Sequence, residues 1–461
     1  MNQHDRPLWS LSASELAAGY ASGLSPNDVM AATLSRIGEV NPQVNAIVAL
    51  DQAGALAAAE ASARRWQAGR PLGALDGVPV TIKDNILAAG MRATWGSHLY
   101  DDFVPDEDET PVRRLREAGA LILGKTNVPE FTVYGFTDNA LFGVTGNPWN
   151  TALTPGGSSG GAVAAVASGI GALALGTDGG GSIRRPAGHT GLFGLKPSRD
   201  MVPRANGFPA ILHNFEVIGP IARCVDDIIA SMDIIAGSAW SKSAGEPALQ
   251  RPRIAYAPGF GDAPVDPVIR DCLDRTMAEA RAFGLDVERV APFDLAEPLP
   301  AVWPVISQTG VAWLLAQYSD WRGKVTPSTA EMAASGEKYT ARDYLNALDT
   351  IAAMERAFDA FFERYDFLVT PATAAMPWPA RESHPSVIDG KAVGPRGHAV
   401  FTPFANALGL PAMSLPCRVE DGALPIGLQI VAARYRDRAL LSFAREFEGR
   451  LFAHRWPPAL K

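Results

Sequence analysis

Two serine-bearing glycine clusters stand close together in this chain, GGSSGG at 156–161 and GTDGGGS at 176–182, with Ser158 and Ser182 24 positions apart. Glycine tolerates positive φ and close backbone approach, so such clusters can aim backbone N–H groups at a bound anion or oxyanion. A serine becomes a nucleophile only beside a base. One reading is histidine: GGSSG satisfies G-x-S-x-G, and His189, His213, His384 and His398 follow it. That pattern should come directly after a strand, whereas TALTPGG is a turn-forming lead-in. A phosphate loop would need GK[ST] after the glycines, and it is absent. No Cys/His cluster suggests a metal, and no dinucleotide fingerprint is clean, so neither metal nor cofactor is expected.

The remaining base is a lysine kept neutral by burial. Its ordinary pKa is about 10.4, so roughly three units of depression are needed at neutral pH. Lys83 ends the β-branched run Val78–Ile82 and is the candidate. A solvated strand end is the plain alternative, and spacing alone does not pair Lys83 with either serine.

These residues sit in a longer ordered set: GVPVTIKDN, GKTNVPEF, NPWN, PGGSSGGAVAAVASG, GTDGGGSIRRPA, GLKPS, VIGPIAR, LVTPA, GLPAMSLP and LPIGLQIV. In this the chain resembles the amidase signature family of serine amidohydrolases, across essentially its whole length. The resemblance implies a Ser–cisSer–Lys triad. Lys83 is the base, Ser158 the bridging serine after a cis bond from Gly157, and Ser182 the nucleophile. It implies an oxyanion hole from the N–H groups of Gly179, Gly180, Gly181 and Ser182. Ser159, Thr177, Asp178 and Arg184 are implied as supports. Two departures stand out. Gly179 occupies a position often threonine or isoleucine, which implies a looser loop or more space beside it. RDMVPRANGFP replaces the commoner GRVS form. Thr132 is implied beside the acyl pocket with Phe131 and Tyr134 nearby. Trp303, Trp313, Trp321 and the 376–380 loop are either its outer wall or core. An apolar or aromatic acyl group is the favoured reading.

The implied activity is cleavage of a small carboxamide through an acyl-serine. A second reading is the A-type component of a glutamine-dependent amidotransferase within a complex, and a third is an esterase or carbamate hydrolase. The implied fold is one α/β domain over 1–461. Its sheet is mixed, mostly parallel-type, of about ten or more strands, with helices on both faces. An N-terminal helical segment, 1–70, packs on a signature core, 77–200. Homodimers are common among such proteins.

The positioning elements are read from pattern. Residues 9–70 read as helical, with a capping box at Ser12–Glu15 and Pro26 opening a helix. Ala162–Ala174 reads as a buried helix. TPVRRLREAGA and VIRDCLDRTMAEARAFG read as helices, and LILG, RIAYAP and Tyr365–Pro371 as strands. Residues 238–252 read as a surface connection, and 296–350 as less regular. Lys+Arg 41 against Asp+Glu 49 gives −8, so no electrostatic case for nucleic acid or an anionic membrane exists. Three scattered cysteines and no signal pattern point to a soluble, cytoplasmic protein.

Overall fold

The computed structural model describes residues 6–243 and 251–458. Its strands run in chain order as β1 Ile47–Leu50, β2 Pro79–Lys83, β3 Leu121–Thr126, β4 Leu173–Asp178, β5 Phe193–Lys196, β6 Val217–Ala222, β7 Arg253–Tyr256, β8 Asp286–Arg289, β9 Phe367–Pro371, β10 Val387–Ile388, β11 Lys391–Ala392, β12 Ala412–Pro416 and β13 Gly427–Ala432. Eleven of them form one sheet in the order β1-β3-β2-β4-β6-β5-β12-β13-β9-β7-β8, with β10 and β11 a separate hairpin. The sheet draws strands from residue 47 to residue 432, and 13 α-helices among the described residues flank it.

The sheet is mixed, as expected, yet its pairings are six antiparallel to four parallel rather than mostly parallel. Parallel neighbours need a crossover element to carry the chain back. Such crossovers occur where the helix Thr110–Glu117 links β2 to β3 and Pro267–Ala282 links β7 to β8. Elsewhere short connections return the chain directly, as between β12 and β13.

Local chemistry explains much of the rest. The Ser12 side chain accepts from Glu15 N–H and the Glu15 side chain from Ser12 N–H, the reciprocal cap expected. Ser25 caps the helix Pro26–Val44. Residues 9–70 are not wholly helical, because β1 intervenes and pairs with β3. The run 162–174 also divides. The buried helix Gly160–Ala167 ends, a turn follows with Gly169 and Gly171 at positive φ, and Leu173 and Ala174 begin β4. Residues 296–350 are largely helical: Leu299–Leu315, Pro327–Gly336 and the start of Ala341–Arg364. Of the expected connection 238–252, residues 237–243 form a 3-10 helix and 244–250 lie outside the described residues. No helix among the described residues is long and apolar enough to cross a membrane.

Candidate functional site

Strands β2 and β4 are parallel neighbours, with Val80, Thr81 and Ile82 opposite Leu173, Ala174 and Leu175. That register brings their carboxyl ends together: Lys83 ends β2, and Thr177 and Asp178 end β4. The Lys83 ammonium nitrogen lies 2.8 Å from Ser158 Oγ, 2.8 Å from Thr177 Oγ1 and 3.1 Å from the Thr177 carbonyl oxygen. Ser158 follows a cis peptide bond from Gly157. A Cβ at Gly157 would come within 2.5 Å of the Phe136 carbonyl oxygen, so only glycine fits. The second loop joins the first where Ser159 N–H donates to the Ser182 carbonyl (3.2 Å) and Ser159 Oγ donates to the Thr177 carbonyl (3.2 Å). Lys83 and Ser158 are wholly buried, whereas Ser182 keeps 6% of its surface. Ser182 is therefore the member a solvent-borne molecule reaches. Among the described residues no histidine bonds to either serine. His189 Nε2 instead faces the Ala375 carbonyl oxygen at 3.1 Å.

Burial pulls the Lys83 pKa down to about 7, against the raising influence of Glu216 and then Asp178. Glu216 belongs to a chain of polar contacts absent from the sequence reading. Asn85 Nδ2 donates to Thr177 Oγ1 at 3.1 Å and reaches Glu216 Oε1 at 3.5 Å. Glu216 pairs with Arg204, whose Nε donates to Glu109 at 2.7 Å. Arg204 lies in RDMVPRANGFP, the segment that departs from the commoner pattern.

Asp178 organises the glycine loop. It accepts from Gly181 N–H (2.6 Å), Ile183 N–H (3.0 Å), Arg184 Nε (3.0 Å) and Asn406 Nδ2 (2.9 Å). Burial would raise this carboxyl, but the Arg184 guanidinium holds it far below the usual carboxylate range. This corrects one expectation: the Gly181 N–H is committed to Asp178 and is not free for an oxyanion. Gly181 has φ +111° and only 2.1 Å between a would-be Cβ and Thr402 Oγ1, so its role is conformational. The N–H groups of Gly179, Gly180 and Ser182 have no acceptor among the described residues. Arg184 also donates to the Thr402 carbonyl, Gln429 and Asn406, tying the loop to β13.

Gly179 does not leave extra space. A Cβ there would lie 2.5 Å from Leu212 Cδ1, so Leu212 already fills the gap. At Gly180 a Cβ would lie 2.7 Å from Trp303 Cη2, which places Trp303 against the loop. Two cavities flank this turn. One of about 620 Å³ is lined by Trp95, Phe208, Leu212 and Glu216, among others, and one of about 370 Å³ by Trp303 and Arg396.

The other substrate candidates are held by contacts within the protein. Phe131 is fully buried edge-on to Trp95, with centroids 5.4 Å apart. Thr132 Oγ1 accepts from Trp95 Nε1 (3.1 Å) and donates to the Phe131 carbonyl (2.6 Å). Tyr134 bonds Ser328 and Thr329 through its hydroxyl. None of the three hydrogen-bonds to Lys83, Ser158 or Ser182. Trp378 of the 376–380 loop is buried between His189 and His398, and Trp313 is exposed. Among the described residues no group of three or more His, Cys, Asp or Glu side chains could hold a metal ion.

The family model described as Amidase matches residues 28–441. An acylamidase of Rhodococcus erythropolis is 36% identical, over 96% of this chain and 96% of its own length. The A component of the glutamyl-tRNA(Gln) amidotransferase of Symbiobacterium thermophilum is 33% identical, over 98% and 99%. A crystal structure of a bacterial aryl acylamidase of the amidase signature family superposes with a TM-score of 0.86 at 27% identity, covering 96% of each chain.

Proposed function

The chain belongs to the amidase family, and on that premise we propose that it hydrolyses a small carboxamide through an acyl-serine intermediate. The contact of buried Lys83 with Ser158, beside the more accessible Ser182, carries this reading. Neutral Lys83 takes the Ser158 proton as Ser158 takes that of Ser182. Ser182 Oγ forms its bond to the amide carbonyl carbon, and the carbonyl electrons move to oxygen. The oxyanion faces the N–H groups of Gly179, Gly180 and Ser182, donors of the kind whose removal costs about 3–4 kcal/mol in comparable sites. The relay returns the proton to nitrogen as the C–N bond breaks, releasing ammonia or an amine. Water then attacks the ester by the same relay, frees the carboxylic acid and restores Ser182.

The acylamidase and aryl acylamidase likenesses support this reading. The amidotransferase likeness supports a second one, in which ammonia from glutamine passes to a partner. A panel of aliphatic and aromatic carboxamides, anilides, esters and glutamine, with Ser182→Ala alongside, separates them. Amide turnover by wild type alone is the expected result. Turnover confined to glutamine, and only with co-purifying partner proteins, would favour the second reading. Equal turnover by Ser182→Ala would remove Ser182 as nucleophile.

A further inference from the structure

Two arginine side chains, Arg185 and Arg396, come near Gly180. Arg185 is buried; its Nη1 donates to the Gly180 carbonyl at 2.8 Å, and its Nε has no partner among the described residues. Arg396 also reaches this glycine. A Cβ at Gly180 would lie 3.6 Å from Arg396 Nη2, and the Arg396 guanidinium carbon sits 4.7 Å from the Trp303 ring centroid. Asp178, the acid within this loop, is committed to Arg184. Arg396 forms no ion pair among the described residues, although Asp262 and Glu297 also line its cavity. Nearby, both ring nitrogens of buried His398 lack partners. After burial itself, Arg185 and Arg396 are the strongest influences lowering the pKa of His398, which keeps its ring neutral. Arg396 is exposed, and a guanidinium that stacks on an indole with no carboxylate partner is free to take an anion from solution. The cavity of about 370 Å³ is lined by the apolar Phe260, Leu299, Trp303 and Val400 as well as by Asp262 and Glu297.

We infer that the preferred substrates are amides whose acyl chain carries a carboxylate at its far end, held by Arg396 over Trp303 with Arg185 behind. The inference rests on the amidohydrolase reading and adds the charge of the substrate to it. A guanidinium suits the task because it offers a planar fork of donors to a carboxylate while stacking on an aromatic face. Arg396 is then a specificity-determining residue, which acts on the substrate's distal end and takes no part in proton transfer.

The test compares monoamides of dicarboxylic acids (succinamate, glutaramate, adipamate) with uncharged alkanamides of matching length. Wild type should favour the charged series by about tenfold or more in kcat/KM, chiefly through KM. Arg396→Gln should bring that ratio to about one, and Arg396→Lys should keep part of it. Separately, calorimetry should find glutarate binding to Ser182→Ala and lose it in Ser182→Ala/Arg396→Gln, with circular dichroism confirming that both are folded. A wild-type ratio at or below one, or a ratio that Arg396→Gln leaves intact, would overturn the inference. Ser182-dependent hydrolysis of uncharged amides with no charge preference would keep the hydrolase and sink the anion site. Arg396-dependent glutarate binding without hydrolysis of any amide would do the reverse.

Discussion

The fold removes Lys83 from water, which suits it to the proposed role of base. With its pKa near 7, it holds a proton at lower pH and cannot accept one from Ser158, so kcat/KM should fall as pH falls through about 7. Glu216 raises that pKa, so Glu216→Gln should lower it and move the acid limb to lower pH. A limb that stays in place in a pH–rate profile of Glu216→Gln would separate Glu216 from Lys83. The proposed triad could be picked out of the sequence because each member sits in a long motif of its own. The tuning network was not, since Asn85 and Glu216 lie 131 residues apart and meet only through the sheet. Nor was the commitment of the Gly181 N–H, because a glycine run does not say which of its N–H groups an aspartate takes.

At the scale of elements, close approaches fix where the walls of the site stand. The helix Leu299–Leu315 carries Trp303, and a Cβ at its Gly310 would lie 1.7 Å from the Ile211 carbonyl oxygen. The helix Pro327–Gly336 meets it just as tightly, since a Cβ at Gly336 would come within 2.1 Å of the Gln308 carbonyl oxygen. Gly336→Ala must therefore push the two helices apart and should cost about 1–3 kcal/mol, read from the midpoint of urea unfolding. An unchanged midpoint would mean that this contact is soft. These helices escaped the sequence reading because Pro300 and Pro304 interrupt the first and its apolar residues encircle it without a clear stripe. Strand β1 escaped because four residues between two helices are too few to show alternation. The capping box at Ser12 and the helix opening at Pro26 were legible because such signals are local chemistry, complete within one turn.

Across the whole molecule, one sheet joins the lysine-bearing amino-terminal strands to the carboxyl-terminal ones, and Arg184 links the two through Asp178, Asn406 and Gln429. Arg184→Met would leave Asp178 buried and without its charge partner. It should cost about 3–5 kcal/mol, seen as a lowered Tm together with lost activity. A variant of wild-type Tm would show that the pair is not needed to hold the loop. Motif order made the mixed α/β architecture legible, but strand direction was not. Whether a neighbour runs parallel depends on whether a helix or a short loop returns the chain, and those connections lie between the motifs. The most direct test of the account is to quench the enzyme during turnover of an amide and read the peptide masses. The account predicts the acyl mass on the peptide bearing Ser182, absent when Lys83→Met is treated identically. The acyl mass on another residue, or steady turnover with Ser182 never modified, would contradict it.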